Sequence, residues 1–158
     1  MTNNFNFIDF NTTKPTKNDI EMLKDIKLKT ILTDTSSTIS QEEKDKIIKY
    51  VNDYIEKNYT KYNLIIFNKI ILGAYCIDSY NDGLLLDEIY IFPDYRNKGI
   101  ASKVIINMQN TSNENIYLWV YKSNKVAFNL YTKLGFHIED ETETRYLMKY
   151  NKEIKNRI

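Results

Sequence analysis

Arg96, Lys98 and Gly99 stand close enough in the sequence to hold an anion together. Gly99 lets the backbone approach a ligand closely. Ile100, Val104, Ile105 and Met108 follow it at helical spacing, which predicts a helix from about Gly99 to Gln109. The N–H groups around the start of that helix, on Asn97, Lys98, Gly99, Ile100, Ala101 and Ser102, would have no partner within it. With two cations beside them they suit a phosphate or pyrophosphate; the competing reading of Arg96 and Lys98 is as solvated surface charges. Other chemistry-bearing residues stand alone. Cys76 has no histidine or cation near it in sequence and reads as a small buried hydrophobe. His137, the single histidine, falls in an expected strand beyond the anion site. No Cys/His cluster or Asp-rich loop has metal-ligand spacing, so no metal is implied.

The elements that must position these residues can be read on either side. Leu84, Leu85, Leu86, Ile89, Ile91 and Phe92 form a nearly continuous apolar run, which suits a central strand covered on both faces. Pro93 then marks a bulge or an abrupt strand end. Upstream, Tyr62 to Phe67 and Ile70 to Tyr80 read as two more strands. Asn68-Lys69 and Asn81-Asp82-Gly83 serve as hairpin turns, making an antiparallel meander. Gly73 suggests a bulge or a close approach. Nearer the start, Phe5, Phe7, Ile8 and Phe10 give a short strand and residues 11–17 a loop. Thr16 caps a helix through Ile20, Leu23, Ile26, Leu28 and Ile31. A polar loop over residues 33–39 precedes Ser40-Gln41-Glu42-Glu43, a capping box opening a helix whose buried stripe is Ile47, Ile48, Val51, Tyr54 and Ile55. Downstream, Ile116 to Tyr121 is a strand. Ser123-Asn124 caps a helix with the apolar face Val126, Ala127, Leu130 and Leu134, ended by Gly135. Phe136 to Ile138 and Arg145 to Tyr150 read as a closing hairpin around an acidic turn, Glu139 to Glu143, before a polar tail. With no internal repeat and no linker, one domain over residues 1–158 is expected.

The run Arg96-Asn97-Lys98-Gly99-Ile100-Ala101 resembles (Arg/Gln)-x-x-Gly-x-(Gly/Ala), the acyl-coenzyme A signature of the GNAT acetyltransferases. Asn124-x-x-Ala127-x-x-x-Tyr131-x-Lys133-x-Gly135-Phe136 resembles a second stretch of that family, and the two together span Leu84 to Tyr150. The resemblance implies an α+β fold of the three-layer α/β kind: a mixed, mostly antiparallel central sheet flanked by helices and splayed between its two central strands. It implies acetyl-CoA as co-substrate and transfer of the acetyl group to a primary amine by direct attack in a ternary complex. The pyrophosphate would rest on the N–H groups of Asn97 to Ser102 with Arg96 and Lys98. The strand backbone at Ile89 and Ile91 would serve as a rail for the pantetheine, and Asn124 would contact the coenzyme. Tyr131 would protonate the leaving thiolate; a core aromatic is the other reading of that position. Glu88 is the candidate base, with a paired or exposed strand acid an equal reading. Protein N-terminal acetylases carry a glutamate on the next strand where this chain has Trp119. That departure disfavours an N-terminal α-amine and implies a narrower, aromatic-lined acceptor site. The alternative from another class is an inert acyl-CoA-binding sensor or assembly module of the same fold.

Bulk properties set the frame. At 158 residues the chain can bury about 70% of its unfolded surface around one core. A formal net charge of +1 supplies no basic excess for nucleic acid. No run is long and apolar enough for a membrane, and no basic-then-apolar leader opens the sequence. With a single cysteine, a cytoplasmic protein is the expectation. The acceptor, a small-molecule or peptide amine, is open, and exposed β-edges leave room for a homodimer.

Overall fold

The computed structural model describes residues 10–34 and 39–153. The described residues divide into two compact units, 10–74 and 75–153. The strand order of the sheet is β1-β2-β3-β4-β5-β7-β6.

The first unit opens with β1 (Asn11–Thr13), paired antiparallel to β2 (Tyr62–Phe67) from Asn11↔Ile66 to Thr13↔Leu64. This corrects the expected strand and loop at the start: residues 11–13, assigned to a loop, are a strand. Phe5, Phe7 and Ile8 lie outside the described residues, and Phe10 is not in a strand. The two short residues Thr12 and Thr13 carry no apolar alternation, and only a partner strand decides their pairing. Thr16 and Asp19 cap each other across a 3-10 turn that runs into α1 (Ile20–Asp34). Ser40 and Glu43 do the same at the start of α2 (Gln41–Asn58). Such a cap stabilises a helix start by about 1 kcal/mol. Leu23 and Ile26 of α1 and Val51 and Ile55 of α2 are fully buried. Lys24 ties the helices together, with Nζ 2.9 Å from Glu56 and 3.3 Å from Glu21. The strand β3 (Ile70–Tyr80) begins in this unit after a turn with Asn68 and Lys69 both at positive φ, the geometry of a type I′ hairpin.

The second unit holds the rest of β3, β4 (Gly83–Ile91), α3 (Ile100–Thr111), β5 (Asn115–Tyr121), α4 (Lys125–Lys133), β6 (His137–Glu141) and β7 (Arg145–Tyr150). β4 and β5 run parallel, so α3 supplies the crossover that such a pair requires. The stripe Ile100, Val104, Ile105 and Met108 is buried, as its spacing predicts. β5 pairs antiparallel with β7 from Ile116↔Tyr150 to Tyr121↔Arg145. Of the acidic run expected as a turn, Thr142 and Glu143 lie in the turn, while Glu139, Asp140 and Glu141 extend β6, the edge strand, which pairs with β7 through a bulge between Ile138 and Asp140. Exposed charge on an edge strand discourages pairing with another chain. Val126, assigned to the apolar face of α4, is 83% exposed. The stripe is Ala127, Leu130, Tyr131 and Leu134, at i, i+3, i+4 and i+7, and Val126 sits a further 100° round. α4 packs on β7 through Phe128 against Tyr146, with ring centroids 5.3 Å apart.

Candidate functional site

The parallel pairing of β4 with β5 is short. It covers Gly83↔Asn115, Leu84↔Ile116 and Leu85↔Tyr117, and among the described residues goes no further. β4 continues to Ile91 while β5 stays on β7 to Tyr121. From Leu86 onward, therefore, β4 presents toward β5 an edge that β5 does not use. Glu88, Ile89 and Ile91 all lie on this stretch, each half-buried.

Pro93 starts a 3-10 turn, Pro93–Tyr95, that ends the strand. Asn97 and Gly99 then take positive φ, +61° and +77°. A Cβ at Gly99 would meet nothing within 4 Å, so the left-handed backbone, not crowding, is what asks for glycine. Gly99 is the N-cap of α3, whose first helical bond is Lys103 N–H to Gly99 O at 3.1 Å. The N–H groups of Asn97, Lys98, Gly99, Ile100, Ala101 and Ser102 donate to nothing among the described residues. Alternating left-handed residues before a helix N-terminus make a concavity of donors suited to an anion.

Arg96 is less free than its sequence position suggests. Its Nε donates to Ile91 O at 2.8 Å, and its guanidinium lies 5.2 Å from the centre of the Tyr90 ring. The carbonyl of Ile91, expected to be open along the strand, is thereby occupied. Arg96 acts first as a clamp from the loop back onto the strand end, with the rest of its fork exposed. Lys98 is exposed.

Asn124 and Tyr131 lie toward opposite ends of α4. Asn124 is the N-cap, and its Oδ1 accepts from Ala127 N–H at 3.1 Å. Tyr131 sits where α4 ends in a full Schellman motif: Gly135 N–H donates to Thr132 O at 3.1 Å and Phe136 N–H to Tyr131 O at 3.0 Å. Gly135 takes φ +95° to allow it. The Phe136 ring lies 6.1 Å from that of Tyr131 and 5.9 Å from that of Tyr150. Tyr131 is half-buried, and burial pushes its phenol above the ordinary 10.0. Its hydroxyl makes no hydrogen bond among the described residues and is not sealed from solvent. No hydrogen bond joins Tyr131 to Glu88. Trp119 has Arg145 stacked on it at 4.8 Å. His137 is exposed beside Glu139, 3.4 Å away, and Cys76 is buried.

Sequence reasoning passed over two groups. The first closes the paired end of β4 and β5. Asp82 accepts from the Tyr117 hydroxyl at 2.5 Å and from Asn115 Nδ2 at 3.1 Å, with Lys149 Nζ 4.0 Å away. The second is Gln109, the one buried polar side chain among the described residues, whose Nε2 donates to Leu134 O at 2.7 Å. Its signal was available: a glutamine four residues after Ile105, inside the apolar stripe of α3. Asp82 and Tyr117 are 35 residues apart and carry no comparable signal. Among the described residues, no group of three or more His, Cys, Asp or Glu side chains could hold a metal, and no helix is long and apolar enough to cross a membrane.

A model of the acetyltransferase (GNAT) family matches residues 27–136. The fold is similar to that of PaiA N-acetyltransferase from Thermoplasma acidophilum in complex with coenzyme A, at TM-score 0.69 and 18% identity over 90% of this chain and 99% of that one. It is similar to an N-acetyltransferase from Staphylococcus aureus Mu50, at TM-score 0.68 and 12% identity over 88% and 99%. Naa50 of Arabidopsis thaliana, in complex with the bisubstrate analogue CoA-Ac-MVNAL, gives TM-score 0.58 and 22% identity over 90% and 98%. At such identities the likeness is one of fold. No curated protein matches the sequence.

Proposed function

The chain belongs to the GNAT family of acetyltransferases, and on that premise we propose that it moves the acetyl group of acetyl-CoA to the primary amine of a small-molecule or peptide acceptor by direct attack in a ternary complex. The observation that carries this reading is the strand edge opening after Leu85 and leading to the six unpaired donors at the start of α3. The residues fit the coenzyme. Unpaired N–H groups follow one another there with Lys98 exposed among them, and no carboxylate lies between Tyr95 and Lys103 to repel a pyrophosphate. The stretch of β4 that β5 does not pair offers main-chain groups at Ile89 to the pantetheine amides, as an added strand would be held; the Ile91 carbonyl is already taken by Arg96.

Tyr131 is protonated at neutral pH and has a hydroxyl with no competing partner among the described residues, as an acid for a departing thiolate needs. As the N–C bond forms and the C–S bond breaks, its proton goes to sulfur. Glu88, directly or through a water, takes the proton lost by the ammonium. Trp119 under Arg145 supports an aromatic wall on the acceptor side. The test is calorimetric titration with acetyl-CoA and with free coenzyme A, followed by thiol release over a panel of amines. Micromolar binding of both and turnover of at least one amine are expected. No binding overturns the site, and binding without turnover of any amine identifies an inert module.

A further inference from the structure

We propose that Gln109 is a positioning residue that holds Tyr131 in place for proton transfer by hydrogen-bonding the carboxyl end of α4. The inference rests on the acid role proposed above for Tyr131.

The last carbonyls of a helix have no partner within it. In α4 the Schellman bonds take up those of Tyr131 and Thr132, and Gln109 takes up that of Leu134, three residues beyond Tyr131. Gln109 is only 6% exposed, so no water readily replaces its amide. Its backbone is itself anchored: the main-chain carbonyl of Gln109 accepts from Lys152 Nζ at 2.5 Å, and Lys152 N–H donates to Asn115 Oδ1 at 2.9 Å, at the start of β5. The ring of Tyr131 lies 6.1 Å from that of Phe136, which in turn lies 5.9 Å from Tyr150 of β7.

The consequence is geometric. Gly99 at the anion cradle and Gln109 at the exit of α4 lie on one helix, ten residues or about 15 Å apart along its axis. α3 thus sets the spacing between the pyrophosphate donors and the helix end that carries the proton donor. A thiolate at the far end of the pantetheine meets Tyr131 only when that spacing holds. A displacement on the order of 1 Å costs about a hundredfold in rate.

The test replaces Gln109 with methionine, which keeps the length and removes the donor, and labels the protein with 3-fluorotyrosine. The Tyr131 resonance is assigned by its loss in Tyr131→Phe. In Gln109→Met that resonance is expected to shift and its titration to move down toward that of free 3-fluorotyrosine, while affinity for acetyl-CoA stays within about twofold of wild type. With an accepted amine, kcat is expected to fall about 10- to 100-fold, and the loss should vanish in the Tyr131→Phe background. An unmoved resonance in folded Gln109→Met overturns the proposal, as does an additive loss in the double variant. If Gln109→Met does not fold, Gln109→Asn, one methylene short of Leu134, is expected to move the same resonance, and an unmoved one overturns the proposal equally. A wild-type protein that acetylates no amine defeats the function and leaves the resonance to decide on Gln109.

Discussion

At Gly83 the backbone of β4 comes so near β5 that a Cβ would lie 2.2 Å from the carbonyl oxygen of Asn115. Six residues on, at Ile89, the same strand has left β5 altogether. The two ends of one strand pair are thus built for opposite purposes. The closed end is sealed by side chains. Tyr117 donates to Asp82, Asn115 adds a second hydrogen bond, Lys149 stands over the Tyr117 ring at 5.4 Å, and Tyr80 meets that ring edge-on at 5.1 Å. The open end is finished by a turn, a clamp from Arg96 and a helix start with unspent donors. A parallel pair that zipped to its end would leave no edge for a ligand, and one that never closed would leave β5 without a fixed starting point. Glycine serves both ends for different reasons, close approach at 83 and left-handed backbone at 99.

This contrast can be broken from either side, and the largest effect is expected at the open end. Tyr131→Phe should lower kcat by about a hundredfold or more, the scale of a lost general acid. Melting temperature and acetyl-CoA affinity should stay near wild type, because the hydroxyl has no partner to lose; steady-state kinetics with calorimetry separates the two. Gly99→Asp places a carboxylate where six donors converge. It should weaken acetyl-CoA binding by about tenfold or more, a difference of about 1.4 kcal/mol per decade. An unchanged affinity would move the pyrophosphate elsewhere.

Changes at the closed end should leave coenzyme binding intact and act on stability. Gly83→Ala must push β4 off a backbone carbonyl, and a loss of about 1–3 kcal/mol in chemical denaturation is expected. Tyr117→Phe is the mildest, costing a few degrees of melting temperature with a marked pH dependence. The Tyr117 hydroxyl holds the Asp82 carboxyl below its ordinary 3.8. Burial, then Asp82, pushes the Tyr117 phenol above 10.0, and contact with Tyr117 raises Lys149 above 10.5. A lowered carboxylate contributes stability above pH 3.8 that is lost as pH falls through its folded value. The raised phenol and ammonium contribute below about pH 10 and lose that contribution as pH rises through their folded values. The gap between wild type and Tyr117→Phe should therefore be widest between those limits and close on both sides. A gap constant from pH 3 to pH 11 would count against the clasp.

How much was legible follows the range of each interaction. The N-cap at Thr16, the capping box at Ser40, the glycine stop at Gly135, the buried stripe of α3 and the hairpin at Asn68-Lys69 are set by residues within four or five positions of one another, and each appears where its local chemistry places it. The anion-binding run is legible for the same reason, since loop and helix start are contiguous. Gly83 was assigned to a turn because glycine after Asn-Asp has that local meaning. The structure ends the turn at Asp82 and makes Gly83 the first residue of β4, for a reason that lies on another strand. Glu139 to Glu141 look like part of a solvated turn in sequence because their charge is visible and their partner strand is not.

By itself, then, the sequence determined the caps, the helix stripes apart from Val126, the glycine stop at Gly135 and the contiguous donors before α3, all interactions that close within a turn or two of chain. Tertiary structure alone decided where β4 leaves β5, which carbonyl occupies Arg96, and that Asp82, Tyr117, Gln109 and Leu134 meet. The Arg96 clamp spans only five residues but depends on where β4 ends, while the Gln109 and Asp82 contacts join residues 25 to 35 positions apart; their partners are chosen by packing and strand register, which no short window of sequence contains.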